Sequence, residues 1–228
     1  MKYCCSLILF LFLANCIIAQ DSSKTNQNEL KHGLQFQIRS LLELTNFDGY
    51  TFSYRYRINY KSGIRIGLYT NINKSDDDIT QRLDNIVVNP PNYNHNYNFK
   101  LSAQYLFDLI NYKSFALIFG GGPFISYTKS ETSTEYLYTS YSVKHTRKDK
   151  STGFGLDLIL GVEYILTDNI ILSGEYGLTI DKENSDIDEA DNYIYSDVTQ
   201  NRISTQKGKR DILIINGMGV NLGISFFF

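Results

Sequence analysis

The sequence predicts an all-β fold, an eight-stranded antiparallel up-and-down barrel, and three observations predict it. The 228 residues include 18 Tyr, 14 Phe and 16 Gly but only 3 Pro and no Trp, and aromatic side chains pack well on a pleated sheet. Eight segments alternate between apolar and polar residues, as a strand with two unlike faces does. The connections between these segments alternate between short and long. The length suits one domain of this kind.

The first 19 residues are predicted to be a secretory signal peptide. They begin with Lys2, continue through an apolar run at 7–13, and end at Ala19 before a polar stretch; this order is typical of a signal peptide cleaved after Ala19. Residues 20–30 are then a polar periplasmic leader, and residues 31–228 are the barrel.

All three cysteines, Cys4, Cys5 and Cys16, fall inside the predicted signal peptide. The mature domain is therefore expected to have no disulfide and no thiol chemistry. An alternative stays open, because residues 13–16 (LANC) are similar to a lipoprotein signal. In that case Cys16 would be lipidated and cleavage after Ala19 would not occur.

The strands are predicted from runs with a period of two. The clearest run covers residues 50–60, where every even position is apolar or aromatic and every odd position is polar or charged. None of the apolar-phase positions in the eight runs carries a charge. The runs cover residues 34–44, 50–60, 64–72, 97–107, 115–127, 154–164, 170–180 and 211–228.

The apolar face is predicted to point outward into lipid. Alternation alone would also fit a soluble barrel such as a lipocalin, whose interior is apolar. The interior of an eight-stranded barrel, however, is only just filled by side chains, so large aromatic ladders would not fit inside. The polar face is rich in small residues, which suit a crowded lumen: Gly67, Ser102, Gly120, Gly155, Gly161, Gly177, Gly217, Gly219 and Gly223.

Strands of about 11 residues, tilted by about 40°, rise roughly 28 Å, close to the apolar band of a transmembrane barrel. The representative lipid-facing residues are Phe52, Tyr54, Tyr56, Phe99, Tyr105, Leu158, Tyr176 and Val220.

The connections predict which end of the barrel faces which compartment. Three short gaps (61–63, 108–114 and 165–169) are expected to be periplasmic turns, whereas three long ones are expected to be extracellular loops. The long gaps cover 73–96, 128–153 and 181–210. Extra strands within 134–146 or 191–205 would raise the count to ten, and the sequence leaves that alternative open.

These features resemble the small outer-membrane proteins of the OmpA-transmembrane and OmpX type, and the broader outer-membrane β-barrel domain group. The resemblance rests on the signal peptide, the eight runs, the phrase 119–124 (FGGGPF) and the final segment 220–228 (VNLGISFFF). It implies an integral protein of the outer membrane of a Gram-negative bacterium, surrounded by lipid and lipopolysaccharide. Pro123 is expected to mark a bulge, because proline cannot donate a ladder hydrogen bond.

The final segment is similar to the C-terminal signal that the barrel-assembly machinery recognises. Apolar residues occupy every second position up to an aromatic last residue. The signal positions are Leu222, Ile224, Phe226 and Phe228.

Ten charged residues are predicted to face the lumen. Five are basic and five acidic, with the bases on the first four runs and four of the acids on the last three. Because unpaired buried charges are costly, we expect them to pair and fill the lumen; a polar path for small ions is the alternative. They are Arg39, Glu43, Arg55, Arg57, Arg65, Lys100, Asp157, Glu163, Glu175 and Asp211.

Other site types have weaker support. The net charge of −2 argues against nucleic-acid binding, and the acidic segments 76–78 and 186–191 lack the spacing of an EF-hand loop, so we expect solvated loops and no cofactor. His145, near Ser140 and Ser142, is the best candidate for acyl-chain chemistry, although the sequence identifies no carboxylate to orient it.

The predicted function is therefore a non-enzymatic outer-membrane barrel, a monomer with a plugged lumen and a structural or surface-interaction role through its long loops. Tyrosines at 136–141 and 193–195 suit contact with a surface partner. A narrow passive pore is the first alternative, and a lipid-modifying enzyme is the second.

Overall fold

A computed structural model of the protein describes residues 30–39, 49–59, 61–78, 81–83, 86–88, 91–138, 141–195 and 198–228. The predicted signal peptide, Cys16, Glu43 and Ser140 lie outside these residues, as does the leader up to residue 29. Within the described part, no helix is both long enough and apolar enough to cross a membrane.

Within the described residues, the regular structure consists of ten strands and a single turn of 3-10 helix at Val198–Gln200. The strands are β1 (His32–Arg39), β2 (Tyr50–Asn59), β3 (Ser62–Asp78), β4 (Gln81–Leu83), β5 (Ile86–Val88), β6 (Pro91–Tyr112), β7 (Phe115–Leu137), β8 (Tyr141–Ile165), β9 (Ile170–Tyr195) and β10 (Arg202–Phe227).

Eight of these strands form a closed antiparallel ring. The ring order is β1-β2-β3-β6-β7-β8-β9-β10, and β10 returns to pair with β1. The predicted eight-stranded up-and-down barrel is therefore confirmed. The two remaining strands, β4 and β5, form a short hairpin that joins β7 through Val87 and Leu137. The regions considered for extra strands instead prolong β7–β10. The residues concerned are 134–137, 141–146, 191–195 and 202–205.

The register of the ring sets its width. A row of paired residues starts at Tyr50 on β2, crosses β3 and β6–β9, and arrives at Asp211 on β10. In the other direction, Tyr50 pairs with Ile38, which pairs with Leu222. The two positions reached on β10, Asp211 and Leu222, are 11 residues apart. One of these 11 residues is the extra residue of a bulge. Eight strands with this stagger tilt by about 40° and enclose a lumen that side chains can fill.

Apolar side chains face outward and polar ones face inward. Phe52 and Leu158 expose 57% and 39% of their surface, whereas Arg55 and Glu175 expose 8% and 1%. The outward apolar residues form a band whose extent is clear on β8, from Phe154 to Tyr164. This apolar band has the height of a membrane's hydrocarbon core.

Each of the eight predicted lipid-facing side chains lies on this outer face, and all but the half-buried Val220 are well exposed: Phe52, Tyr54, Tyr56, Phe99, Tyr105, Leu158, Tyr176 and Val220.

The ring's two ends differ greatly. At the turn end, the connections between β2 and β3, β6 and β7, and β8 and β9 are two to four residues long. At the hairpin end, the strands continue far beyond the apolar band, so the expectation of long loops at 73–96, 128–153 and 181–210 was wrong. The strands remain paired in this part, but both of their faces are polar. The sequence there lacks the apolar–polar alternation from which strands were predicted. We call the parts of β3 and β6–β10 above the band the upper wall.

A bulge in β10 reverses the phase of its upper part. The register shifts between Gly217 and Val220, and Gly219 adopts a φ of 67°, a left-handed conformation that glycine accepts without strain. Below the bulge, odd-numbered residues face the lumen, whereas above it they face outward. Gly217 and Asp211 were therefore placed on the wrong face. Asp211 is exposed on the outside of the upper wall.

The bulge expected at Pro123 was also wrong. Pro123 lies in a continuous register opposite Leu156, and the shift between β6 and β7 occurs near the turn, between Asp108 and Ile110. Gly122, next to the proline, lies close to the backbone of β6, because a Cβ atom there would clash with the carbonyl oxygen of Ala103.

The apolar band makes a prediction about depth. Leu158→Arg, within the band, should lower the free energy of unfolding by about 2–4 kcal/mol, because a guanidinium would enter hydrocarbon. Ile203→Arg is the matched control, since Ile203 is 71% exposed on the same outer face but high on the upper wall, and it should change stability by less than about 0.5 kcal/mol. Denaturant unfolding from phospholipid vesicles measures both. Equal effects would contradict the position of the band.

Candidate functional site

Three ion pairs cross the lumen, and their six side chains are buried or nearly so. They are Arg55 Nη1 with Glu163 Oε1 at 2.5 Å, Arg65 Nη1 with Glu175 Oε1 at 2.6 Å, and Lys100 Nζ with Asp157 Oδ1 at 2.6 Å.

Two of these pairs span the full diameter of the barrel. Arg55 on β2 faces Glu163 on β8, and three strands separate β2 from β8 in either direction around the ring. The same holds for Arg65 on β3 and Glu175 on β9. Because charge-assisted bonds of this length require direct contact, opposite walls of the barrel touch at these levels.

Uncharged side chains connect two of the ion pairs, Arg65–Glu175 and Lys100–Asp157. Arg65 donates from Nε to Gln104 Oε1 at 2.8 Å and from Nη1 to Gln35 Oε1 at 3.2 Å. Gln35 in turn donates to the Ser173 hydroxyl at 3.0 Å, and Gln104 donates to Asp157 Oδ2 at 3.3 Å. The donors and acceptors of Arg65 and its partners are thus largely satisfied, as buried charges require.

Inward-facing aromatic rings also contact two cations of the lumen. The Lys100 ammonium lies 3.7 Å from the centre of the Phe124 ring, and the Arg39 guanidinium lies 4.4 Å from the centre of the Tyr69 ring. Such cation–π contacts gain strength when they are removed from water. They fill space in the lumen as well as stabilising charge.

Phe227 forms the floor of the network at the turn end. It is almost fully buried, and the guanidinium groups of Arg57 and Arg55 lie 4.0 and 5.4 Å from its ring centre. Gly33 on the neighbouring strand makes room for the ring, since a Cβ at that position would lie 2.8 Å from Phe227 Cε1.

The space left in the middle of the lumen is small. A cavity of about 40 Å³ lies beside the Arg65–Glu175 pair. Four buried polar atoms without a hydrogen-bond partner in the described part of the chain belong to residues that line it: Gln37 Nε2, Ser53 Oγ, Glu175 Oε2 and Asn221 Oδ1. A polar cavity of this size suits one to three ordered waters, which would satisfy these atoms.

Eight of the ten predicted lumen charges face inward in the structure. Of the other two, Glu43 lies outside the described residues and Asp211 lies on the outer face. The eight are Arg39, Arg55, Arg57, Arg65, Lys100, Asp157, Glu163 and Glu175.

Sequence reasoning missed the uncharged members of the network. They occupy the polar phase of the same runs, but a polar uncharged side chain there predicts no particular partner. These members are Gln35, Gln104, Ser173, Thr179 and Ser225, together with the inward aromatic residues Tyr69, Phe124 and Phe227.

Asp181 lies just beyond the apolar band at the hairpin end. Burial raises the pKa of Asp181, and the negative charge of Glu183 adds to this effect.

The structure supplies a carboxylate for His145 but separates it from the proposed serine. His145 Nδ1 lies 2.7 Å from Asp191 Oδ1 across the β8–β9 pair. Ser142 is three residues away on the same strand, so its side chain points to the opposite face of the sheet. The coupling of His145 with Ser142 was therefore wrong, and Ser140 lies outside the described residues.

The acidic segment 186–191 is part of β9, so the expectation of a loop was wrong there too. Asp186 and Asp188 face Lys209 and Lys207 on β10, at 3.9 and 3.7 Å. Within the described part of the chain, no three His, Cys, Asp or Glu side chains are grouped as metal ligands.

Tyrosines gather at the top of the upper wall. Tyr138 stacks on Tyr141 with ring centres 4.5 Å apart, and Tyr141 stacks on Tyr195 at 5.3 Å. We call these three residues the tyrosine tip. The Arg202 guanidinium lies nearby on the ring of Tyr193, at 5.0 Å.

The proposed assembly signal lies on the outer face of β10, where it meets β1. Leu222, Ile224 and Phe226 pair with Ile38, Phe36 and Leu34, and Phe228, the last residue, is exposed.

The lumen pairs make a stability prediction. Glu175→Gln should lower the free energy of unfolding by about 3–5 kcal/mol, because it leaves the buried Arg65 guanidinium without its counter-charge. Asp188→Asn removes one carboxylate from an exposed pair and should cost less than about 1 kcal/mol. Unfolding in denaturant, followed by far-UV circular dichroism, compares the two. A Glu175→Gln variant as stable as Asp188→Asn would contradict the network's role.

The family model described as "Outer membrane protein beta-barrel domain" matches residues 7–206 of the chain. Among curated proteins there is no significant match. Solved structures that resemble the chain include CarO of Acinetobacter baumannii, at 8% identity and a TM-score of 0.44, over 90% of this chain and 100% of that one. A major outer membrane protein from Thermus thermophilus is similar at 13% identity and a TM-score of 0.37, over 88% of this chain and 100% of that one.

Proposed function

Because the chain belongs to the outer membrane protein beta-barrel domain family and is an integral protein of the bacterial outer membrane, we propose that it is a non-enzymatic barrel with a closed lumen that acts through its outer surface. This proposal rests on the two ion pairs that span the full diameter, Arg55–Glu163 and Arg65–Glu175. A barrel whose opposite walls are in contact has no open channel.

The closure would be costly to undo. Opening a path would require Arg65 to leave Glu175, Gln35 and Gln104 together, and each charge would then lie unpaired in a low-dielectric interior. The cavity beside the Arg65–Glu175 pair has a volume of about 40 Å³, enough for a few waters. The network therefore supports a plug rather than the narrow pore considered as an alternative.

The upper wall is the part of the molecule best suited to meet a partner. The turn end lies in the periplasm in barrels of this kind, and this supports an extracellular position for the upper wall. On β9 the strand continues beyond the band through residues 181–195, a rise of about 35 Å. The tyrosine tip lies at the end of this wall. Stacked tyrosines provide a rigid contact surface, so binding a partner through them costs little conformational entropy.

The separation of His145 from Ser142 supports the non-enzymatic part of the proposal. An acyl-transfer site requires a nucleophile within hydrogen-bond reach of its base, and the serine that the sequence offered lies on the other face of β8. The pairing of His145 with Asp191 instead resembles the neighbouring cross-strand contact of Arg147 with Glu189, at 3.2 Å. We therefore interpret the His145–Asp191 contact as one that stabilises the pairing of β8 with β9 in the upper wall.

Conductance tests the closed lumen. The wild-type protein in a planar bilayer should show no stepwise current, whereas replacing Arg55, Glu163, Arg65 and Glu175 together by serine should produce discrete steps, because it removes both contacts across the diameter. Lys207→Ser with Asp188→Ser, an exposed pair on the upper wall, is the control and should stay silent. Steps in the wild type, or a folded lumen variant that stays silent, would contradict the plug.

Binding tests the surface role. The refolded barrel in nanodiscs should retain at least one component from a panel of host and bacterial surface molecules. Tyr138→Ser with Tyr195→Ser should weaken that binding tenfold or more, since it removes two rings of the tyrosine tip. Tyr105→Ser, in the apolar band, is the control and should bind as the wild type does. Equal binding by the tip variant would show that another surface carries the contact.

A further inference from the structure

A second cavity lies at the turn end, below the lumen network. Its volume is about 350 Å³, within the range of small-molecule sites. Leu106, Ala116 and Ile171, all buried, give it an apolar wall. The Arg55–Glu163 ion pair also lines it and separates it from the centre of the lumen. We call this cavity the periplasmic vestibule.

Arg57 of the vestibule forms no close ion pair within the described residues. The half-buried Arg57 guanidinium rests on the Phe227 ring at 4.0 Å, and no carboxylate of the described residues lies within ion-pair distance of it. Glu163 is occupied by Arg55 at 2.5 Å. The positive charge of Arg55, which shares the same ring, lies close to Arg57 as well.

The other acid of the vestibule compensates Arg57 poorly. Asp108 accepts a hydrogen bond from Asn111 Nδ2 at 3.2 Å, and no cation of the described residues lies within ion-pair distance of it. Two further cations, Lys31 and Lys113, line the cavity and are exposed. The vestibule therefore combines an excess of positive charge with an apolar wall.

We propose that the periplasmic vestibule binds a phosphate group, carried by a soluble phosphate ester or by a phospholipid headgroup of the inner leaflet. A guanidinium donates paired hydrogen bonds in the geometry that phosphate oxygens accept. The charge of a phosphate ester, up to −2, suits Arg57 together with the two lysines better than a single carboxylate does. The apolar wall of Leu106 and Ile171 would contact a short alkyl chain on the ester.

Calorimetric titration tests the site. The full chain, refolded in dodecyl maltoside, which contains no phosphate, is titrated with inorganic phosphate and with butyl phosphate. Both should bind, and butyl phosphate should bind about tenfold more tightly because its methylene groups are buried. Arg57→Gln should weaken both at least tenfold, as expected for loss of a charged hydrogen bond. Lys209→Gln, an exposed cation on the upper wall, is the matched control and should bind as the wild type does.

A second arm separates the two sources of phosphate. In phosphatidylcholine vesicles, loss of butyl phosphate binding would assign the site to lipid headgroups, whereas unchanged binding would assign it to soluble esters. Should Arg57→Gln fail to fold, Arg57→Lys keeps the charge without the paired donors and should still bind several-fold more weakly. Absence of binding to the wild type in maltoside, or equal binding by a folded Arg57 variant, would overturn the proposal. Neither result depends on whether the lumen conducts.

Discussion

The contact between opposite walls of the barrel is the constraint on which the rest of the structure depends. Arg55 and Glu163 are 108 residues apart in the chain, and Arg65 and Glu175 are 110 apart, yet each pair meets at the barrel axis. An isolated charge in this interior would cost several kcal/mol. The charges can pair only when the ring is closed. The closed ring, in turn, is stable only when its buried charges are paired. Closure also removes the unpaired strand edges that hydrocarbon does not tolerate.

This contact divides the barrel into parts with different properties. Above it, the upper wall needs no apolar outer face and can carry polar and aromatic contact residues. Below it, the vestibule is sealed from the hairpin end. The pairing of Arg55 with Glu163 also explains why Arg57, two residues along the same face of β2, has no carboxylate within ion-pair distance among the described residues. One glutamate satisfies one of two neighbouring guanidinium groups.

The sequence predicts the parts of the fold that lipid controls. The run at 154–164 marks the membrane-spanning part of β8 because lipid requires an apolar outer face there. Residues 141–153 of the same strand escaped prediction, since outside the band both faces are polar and the period of two disappears. Gln35 and Gln104 escaped for a related reason, because an uncharged polar residue predicts an inward position but no partner. The error at Asp211 came from a single extra residue at the β10 bulge, which reverses every position above it.

The position of that bulge follows from the same electrostatic constraint. A slip of one residue turns each inward side chain of a strand toward lipid, so on β2, β3, β8 or β9 it would move a charge into hydrocarbon at a cost of up to about 2–4 kcal/mol. On β10 the inward residues within the band are uncharged, as Asn221 and Ser225 show. A change of phase there moves no charge into lipid. Two other shifts, between Arg57 and Asn59 on β2 and between Asp108 and Ile110 on β6, lie beside the turns. The shift farther from the turns lies on β10, which carries no cross-lumen charge.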